Sequence, residues 1–251
     1  MERIKQMLKT LLPEPMVRVI RNYLVQKKFK QFLNLPTEEV FSKVYETGVW
    51  GKSIDPSQPF FSGAGSRDSA VLSAYVAAVQ DFLKTFDKRP NVVDLGCGDF
   101  FVGSKIRPFC AKYTACDIVP KLIEFNKRNF KNLDVEFRIL DLVTDELPDG
   151  DIVIIRQVLQ HLSNEQILLA LPKISSKYRY LILTEHLPTK RNFQHNLDMP
   201  AGPGIRARME SGIVLTSQPF NLKAKGKLRL CESDEEGETG GLIVTTLYAL
   251  A

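Results

Sequence analysis

The chain has 251 residues, of which 44% are hydrophobic, 25% charged and 9% aromatic. This composition excludes a disordered, collagen-like or low-complexity protein and predicts one large globular domain with an N-terminal appendage. The net charge of +5 is uneven, because residues 1–34 alone carry +6 from eight Lys or Arg against two Glu. The body of the protein is close to neutral, so no nucleic acid or other polyanion is expected as its partner.

The four cysteines form no CxxC pair and no spacing that suits zinc or a disulfide framework, which favours a reducing, cytoplasmic setting. No apolar run approaches the roughly 20 residues that cross a membrane. The first 15 residues lack the apolar stretch and cleavage site of a secretory signal. We therefore expect a cytoplasmic protein that is at most peripheral at a membrane surface.

An N-terminal arm, residues 1–35, contains a predicted basic amphipathic helix over residues 15–33. Apolar side chains recur there at helical spacing between lysines and arginines: Met16, Val19, Ile20, Tyr23 and Leu24. Two interpretations stay open. The arm contacts a membrane surface or an anionic partner, or it packs its apolar face on the domain.

Residues 36–90 are predicted to form a helical cap or lid segment. A helix is expected over Thr37–Glu46, with Thr37 as its N-cap and Gly48 as its end. A loop rich in Gly, Pro and Ser follows at residues 50–66, and a second helix at residues 66–86.

From Asn91 onward, short Val- and Ile-rich runs alternate with helical stretches. The predicted strands are 91–95, 113–118, 135–140, 151–155, 178–184, 227–232 and 241–250, and the predicted helices between them are 102–110, 121–130 and 164–175. The fold class is therefore α/β, a doubly wound seven-stranded sheet with a terminal antiparallel hairpin and N-terminal helices. This domain spans residues 91–251, and residues 188–220 are an insertion before the hairpin.

The strongest local signal lies where the first predicted strand turns into a helix, in the run Asp94-Leu-Gly96-Cys97-Gly98-Asp99. The two glycines let the backbone approach a ligand and leave amide donors at a helix N-terminus. Because Asp94 would repel a diphosphate, the motif favours a ligand that carries a cationic amine.

Two further acids end the next two strands. Asp117 stands 23 residues after Asp94, where a carboxylate can accept both hydroxyls of a ribose, and Asp141 ends the third strand. Since the carboxyl ends of parallel strands lie along one crevice, the three acids are expected to line a single ligand site.

These residues make the run from Asn91 to Leu250 resemble the class I S-adenosylmethionine-dependent methyltransferases, which have a Rossmann-like sheet. The resemblance implies that the turn at 96–98 wraps the methionine part of the cofactor, while Asp94 supports the loop and the amine. The family often has a third glycine where this chain has Phe100, which is expected to narrow the pocket unless Gly103 relieves the packing nearby.

The same resemblance assigns the adenosine end of the cofactor. Asp117 would hold the ribose and Ile118 would lie against the adenine. Asp141 would accept a hydrogen bond from the adenine amino group, and Leu142 would close over the ring.

The segment after the fourth strand resembles the one that passes beneath the transferred methyl group in small-molecule members. Arg156 and Gln157 would flank the cofactor, and His161 would face the acceptor as a general base with a pKa near ~6.5. Glu185 and His186 end the fifth strand on the crevice side and share the catalytic hypothesis. A histidine that merely packs at a helix start is an equal alternative for His161.

A lid that excludes water is expected over residues 45–66. Tyr45 and Trp50 offer aromatic faces for a sulfonium or a sugar. The run that begins with Ser62 and Gly63 offers backbone donors, so these four residues join the predicted cofactor site. The alternative is a loop that only fills one end of the domain.

The 188–220 insertion is expected to shape the acceptor pocket. Arg206 or Arg208 could hold a phosphate or carboxylate of the acceptor, although a solvated surface arginine is as plausible. Asp198 with a nearby histidine is a weaker candidate for a metal site, and no metal is predicted.

The leading hypothesis is transfer of a methyl group from S-adenosylmethionine to a hydroxyl of a small molecule, glycan or glycolipid. The alternatives are N-methylation of a small metabolite and a non-catalytic module that binds the cofactor. A nicotinamide-dependent dehydrogenase is disfavoured because Phe101 stands where its third glycine belongs. Protein arginine methylation is disfavoured because Arg156 and Gln157 replace the expected glutamates.

Overall fold

The computed structural model describes residues 16, 29–53, 55, 57–63, 66, 69–190, 192–234 and 240–250. By its internal contacts the chain divides into two compact units, residues 1–35 and 36–251. The first unit contains a 3-10 turn at Lys30–Phe32, and most of the helix predicted over 15–33 lies outside the described residues. Within the described part of the chain, no helix is long and apolar enough to cross a membrane.

The second unit is built on a seven-stranded sheet with the order β3-β2-β1-β4-β5-β9-β8. The strands of this sheet are β1 (Val92–Leu95), β2 (Tyr113–Asp117), β3 (Glu136–Ile139), β4 (Ile152–Arg156), β5 (Tyr180–Leu187), β8 (Gly226–Asp234) and β9 (Leu242–Ala249). Strands β1 to β5 are parallel, while β9 is antiparallel to both β5 and β8. The predicted parallel sheet with a terminal antiparallel hairpin is therefore confirmed.

Among the described residues, five α-helices accompany the sheet. They are α1 (Thr37–Thr47), α2 (Ser69–Lys84), α3 (Gly103–Ile106), α4 (Pro120–Asn129) and α5 (Asn164–Lys177). The helix predicted over 102–110 is shorter than expected and continues as a 3-10 turn at Arg107–Phe109. The reason is Pro108, which has no N–H to continue the α-helical ladder.

The two ends of α1 differ in how well the sequence predicted them. The predicted N-cap is wrong, because Pro36 occupies that position, and the Thr37 Oγ1 instead accepts from Gln166 Nε2 at 2.9 Å. The predicted end is confirmed, since Gly48 has φ 63° and its N–H donates to the Tyr45 carbonyl at 3.1 Å.

Apolar side chains fill both faces of the sheet, as a doubly wound fold requires. Along β1, Val93 and Leu95 belong to one core cluster and Val92 to the other, which is the alternation of a strand covered on both sides. The first cluster contains Ile167 and Ile174 of α5, and the second contains Val79 of α2 with further α2 side chains.

The insertion at 188–220 has little regular structure of its own. It carries a two-stranded parallel pair, β6 (Gln194–His195) with β7 (Ser211–Gly212), and a 3-10 turn at Arg206–Met209. Side-chain hydrogen bonds to α5 and to the segment before it hold the insertion against the carboxyl end of β4.

Candidate active site

A cavity of about 500 Å³ opens at the carboxyl ends of the central strands. It lies where the strand order reverses between β1 and β4, which is where open α/β sheets bind ligands. The predicted site residues that line it are Tyr45, Trp50, Ser62, Gly63, Asp94, Gly96, Cys97, Gly98, Asp117, Ile118, Asp141, Leu142, Arg156, Gln157, His161 and His186. The structure brings these residues together, while Glu185 does not line the cavity.

The turn after β1 has a backbone that only glycine accommodates well. Gly96 has φ 79° and Gly98 has φ 56°, both in the left-handed region. A Cβ on Gly96 would stand 2.4 Å from Val158 Cγ2, and one on Gly98 would stand 2.5 Å from Ser62 Oγ. The Gly96 N–H donates to the Cys116 carbonyl of β2 at 2.8 Å, which fixes the turn against the neighbouring strand.

Asp117 is buried at the end of β2 and supports the same turn. Its Oδ2 accepts from the Gly98 N–H at 3.0 Å, and its Oδ1 accepts from the Val119 N–H at 3.1 Å. Burial raises the pKa of Asp117 to about 6, against these hydrogen bonds, which lower it. Each carboxylate oxygen has a second lone pair, so the group can also accept from ligand hydroxyls.

Asp94 lies at the end of β1 and is held by a tyrosine of β2. The Tyr113 hydroxyl donates to Asp94 Oδ2 at 2.9 Å. Burial raises the pKa of Asp94 to about 7, which the Tyr113 hydrogen bond partly offsets. A cationic ligand group beside Asp94 would favour its ionised form.

Asp141 and Leu142 follow β3 at the far end of the cavity. The Asp141 Oδ1 accepts from the Val143 N–H at 2.8 Å, and its own N–H donates to Asp145 Oδ2 at 2.9 Å. Leu142 is buried, and Ile118 is partly buried after β2. A carboxylate between two apolar side chains suits a planar ring with an exocyclic amino group.

The 45–66 loop is fastened to the glycine turn through Ser62. The Ser62 Oγ accepts from the Asp99 N–H at 2.9 Å and lies 3.1 Å from the Tyr45 hydroxyl. The Ser62 N–H donates to Asp99 Oδ2 at 3.4 Å. This loop therefore covers the glycine turn, as a lid over a ligand would.

Arg156 is the last residue of β4 and Gln157 follows it, and the two residues make different contacts. The Arg156 guanidinium lies 5.0 Å from the Tyr75 ring centroid, and its Nη1 donates to Ser66 Oγ at 3.3 Å. Gln157 has φ 56°, and its N–H donates to the Thr184 carbonyl at 2.7 Å. A non-glycine residue in this strained conformation marks the point where β4 turns along the cavity.

Aromatic rings and His161 form the opposite wall of the cavity. The Trp50 ring centroid lies 4.9 Å from the His161 ring and 5.5 Å from the Tyr45 ring. Phe41 packs on both Trp50 and His161. The Trp50 Nε1 donates to the Pro203 carbonyl of the insertion at 3.3 Å, so lid and insertion meet here.

His161 is neutral at physiological pH, which corrects the expected pKa near 6.5. Its side chain is buried, and burial lowers the pKa of His161 to about 4. The Nδ1 lies 2.9 Å from the Gly204 carbonyl, so Nδ1 carries the proton and donates. The Nε2 keeps its lone pair and lies 3.3 Å from Gln160 Nε2.

The two acceptor-side candidates at the end of β5 are also buried. The His186 Nε2 lies 3.0 Å from the Gly240 carbonyl, while its N–H donates to Gln160 Oε1 at 3.3 Å. Burial raises the pKa of Glu185 to about 8, so this carboxyl is mostly protonated at neutral pH. His186 reaches the cavity wall and Glu185 lies behind it.

The two arginines of the insertion have opposite environments. Arg206 is fully buried and donates five hydrogen bonds, to the carbonyls of Leu159, Gln160, Leu162 and Leu197 and to Asn164 Oδ1. The expectation that Arg206 could hold an anion of the acceptor is therefore wrong, because its N–H groups are already used. Arg208 is exposed and lines the cavity.

Phe100 does not narrow the pocket, contrary to expectation. It has φ 56° and is buried among Tyr113, Phe130 and Phe137, away from the cavity lining. A Cβ on Gly103 would stand 2.4 Å from the Phe100 ring, so Gly103 does relieve the packing there.

The remaining candidates of the insertion have structural partners. The Asp198 Oδ1 accepts from the Asn164 N–H at 2.8 Å, and His195 Nδ1 lies 2.8 Å from Ser217 Oγ on the surface. Among the described residues, no group of three or more His, Cys, Asp or Glu side chains could hold a metal ion.

Sequence reasoning missed three residues that organise the site. Tyr113 holds Asp94, Asp99 holds the lid, and Gln160 lies between His161 and His186. Asp99 stands in the glycine motif and could have been noted, whereas the other two have no local signal.

Comparison with known proteins gives a family match inside the sheet domain. Residues 92–179 match the family model of a methyltransferase domain. No curated protein matches the chain. The matched segment runs from β1 to just beyond α5 and contains the glycine turn, the three acids and His161.

Solved structures share the fold at low sequence identity. The N-methyltransferase NodS from Bradyrhizobium japonicum WM9, in complex with S-adenosyl-L-homocysteine, is 12% identical with a TM-score of 0.59, over 84% of this chain and 100% of that one. The magnesium protoporphyrin IX methyltransferase ChlM from Synechocystis PCC 6803, with bound SAM, is 16% identical with a TM-score of 0.53, over 86% of this chain and 98% of that one. The family match covers residues 92–179, and the solved structures show that the chain shares the fold of these methyltransferases.

Proposed function

We propose that this protein is a class I S-adenosylmethionine-dependent methyltransferase, which binds its cofactor in the crevice at the carboxyl ends of β1 to β4 and methylates a hydroxyl of a small molecule or glycan. The observation that carries the proposal is that the glycine turn and Asp94, Asp117 and Asp141, at the ends of three neighbouring strands, line one cavity. Each carboxylate matches one part of the cofactor, namely the methionine amine, the ribose hydroxyls and the adenine amino group.

The side chains present are of the types that suit each part of that cofactor. The glycine turn lies in close contact with Val158 and Ser62, so a side chain at Gly96 or Gly98 would collide with them. Ile118 and Leu142 supply apolar contact for a base. Asp94 is buried with a raised pKa, so a bound ammonium would stabilise its charge.

When bound, S-adenosylmethionine supplies an electrophilic methyl group on a sulfonium. The protein's task is then to position the acceptor oxygen in line with that methyl group and to exclude water. Ser62, fastened to Asp99 and Tyr45, holds the lid over the glycine turn and closes the site to solvent.

We assign His161 Nε2 as the base that takes the proton from the acceptor hydroxyl. The Gly204 carbonyl holds Nδ1 protonated, so Nε2 is the unprotonated nitrogen, and the acceptor hydroxyl would replace the Gln160 Nε2 donor that lies 3.3 Å from it. As the methyl group moves to the acceptor oxygen, the hydroxyl proton carries the positive charge of the sulfonium to the His161 ring, so charge is moved rather than created. His186 has its Nε2 directed at the Gly240 carbonyl and ranks second.

Replacement of His161 by Ala is expected to lower turnover about tenfold or more, in line with the usual size of proton-transfer effects, while cofactor affinity stays unchanged. With saturating cofactor, the wild-type rate should show no acidic limb near pH 6.5, because His161 stays neutral down to about pH 4. An unchanged rate in His161→Ala would contradict the assignment of the base, whereas an acidic limb near pH 6.5 that disappears in this variant would contradict only the low pKa of His161.

The acceptor class is tested with methyl-labelled S-adenosylmethionine and a cell extract split into lipid–glycan, small-metabolite, protein and nucleic-acid fractions. We expect label in the small-metabolite or the lipid–glycan fraction. Label only in protein or nucleic acid would overturn the acceptor class, and no label in any fraction would indicate a non-catalytic module that binds the cofactor.

A further inference from the structure

The cavity has two ends with different charge. Along the ends of β1 to β3 its lining includes four carboxylates, those of Asp94, Asp99, Asp117 and Asp141. At the other end the lining is aromatic, apolar or neutral and includes Phe41, Trp50, His161, Pro203 and Ile205. Tyr45 touches both ends, because its hydroxyl reaches Ser62 and its ring packs on Trp50.

The second end is the place for the acceptor. The carboxylates at the first end are arranged for an amine, a ribose and a base, which together make one complete cofactor. The aromatic end lies next to it, beyond Val158, which packs directly on Gly96 of the turn. A group bound against Trp50 and His161 would therefore stand beside the methionine part of the cofactor.

Among the described residues that line the acceptor end of the cavity, Arg208 is the one with a charged side chain. Its guanidinium makes no hydrogen bond or ion pair with any other described residue, although its neighbour Arg206 makes five. Arg206 and Arg208 belong to the same 3-10 turn, Arg206–Met209, and Arg206 fastens this turn to the segment that carries His161. The backbone at Arg208 is thus held beside the cavity by the buried Arg206. The guanidinium N–H groups of Arg208 remain available to a ligand.

We propose that Arg208 binds an anionic group of the acceptor, a carboxylate or a phosphate ester, while the body of the acceptor lies against Trp50. This inference deepens the proposed function and depends on it. Arginine presents paired N–H donors that match either anion in a bidentate geometry. A cationic acceptor would find no carboxylate among the described lining residues of this end, so the charge pattern disfavours an amine.

The test separates the small-metabolite and lipid–glycan extracts on an anion exchanger at neutral pH and assays each pool with methyl-labelled S-adenosylmethionine. We expect the acceptor in the retained pool. Arg208→Gln should lower kcat/KM for that pool at least tenfold, through a higher KM. Its affinity for S-adenosylhomocysteine should stay unchanged. The kcat/KM of Arg208→Lys should lie between those of the wild type and Arg208→Gln. Arg128→Gln, an exposed arginine of α4 outside the cavity, is the matched control and should leave the rate unchanged.

Prior treatment of the retained pool with phosphatase distinguishes the two anions. Loss of acceptor activity identifies a phosphate monoester, and survival followed by loss on carbodiimide coupling of carboxyl groups to a neutral amine identifies a carboxylate. Label in the unretained pool, or an Arg208→Gln enzyme as active as wild type, would overturn the inference while the proposed function stands. Absence of label in every pool with the wild-type protein would instead overturn the proposed function and the inference with it.

Discussion

Replacement of Asp117 by Ala is expected to weaken S-adenosylhomocysteine binding at least tenfold, measured by calorimetry. The carboxylate would lose its hydrogen bonds to the ribose, and hydrogen bonds to a charged group contribute about 1.5–3 kcal/mol each. Since Asp117 also holds the Gly98 N–H, the variant loosens the turn as well. Asp134→Ala, at an exposed aspartate near the end of α4, is the control and should bind normally.

Two ligands, one with and one without the ribose 2′-hydroxyl, separate the two contributions of Asp117 to binding. The wild-type protein should prefer S-adenosylhomocysteine over its 2′-deoxy analogue, and the Asp117→Ala variant should bind both alike. Equal preference in the two proteins would show that Asp117 supports the turn without touching the ribose.

The affinity should also depend on pH. In the ligand-free protein the pKa of Asp117 is about 6, and the ligand hydroxyls prefer the ionised form, so affinity should fall as the pH drops from 7 to 5. An Asp117→Asn variant should lose part of this fall, and the remainder would report Asp94, whose higher pKa of about 7 gives it the larger share between pH 7 and 5. Constant affinity from pH 8 to 5 would contradict the assignment of both carboxylates.

Replacement of Arg206 by Met is expected to lower the free energy of unfolding by about 3 kcal/mol or more, the scale for losing one partner of a buried polar network. The side chain is fully buried, and its removal takes one donor from each of four backbone carbonyls. Chemical denaturation measures this change. Arg206→Lys should recover only part of the loss, because an ammonium offers three donors rather than five.

The neighbouring arginine is the matched control for this experiment. Arg208→Met removes the same group two residues away from an exposed position, where about 0.5 kcal/mol or less is the usual effect. If Arg206→Met proved as stable as Arg208→Met, the buried hydrogen bonds of Arg206 would not be what holds the insertion in place.

The sheet could be read from the sequence because its strands are short, strongly apolar runs separated by helical periods. β1 and β2 are buried along their whole length, so they stand out from their surroundings. The glycine turn and the acids at 94, 117 and 141 could also be located, because strand ends in a parallel sheet fall on one edge.

The sequence could not distinguish Arg206 from Arg208. Both arginines stand in the same short polar run. Arg206 is buried through contacts that include residues more than 40 positions away in the chain. The low pKa of His161 has the same origin, because Phe41 and Trp50 enclose the ring from distant parts of the chain. Burial by long-range packing leaves no local signal, and it decides which polar side chains remain available to a ligand.

The most direct test of the account is a pair of calorimetric titrations of the full chain, one with S-adenosylhomocysteine and one with NAD. The three carboxylates and the glycine turn predict binding of one S-adenosylhomocysteine per chain and no measurable binding of NAD. Binding of NAD without binding of S-adenosylhomocysteine would contradict the assignment of the crevice.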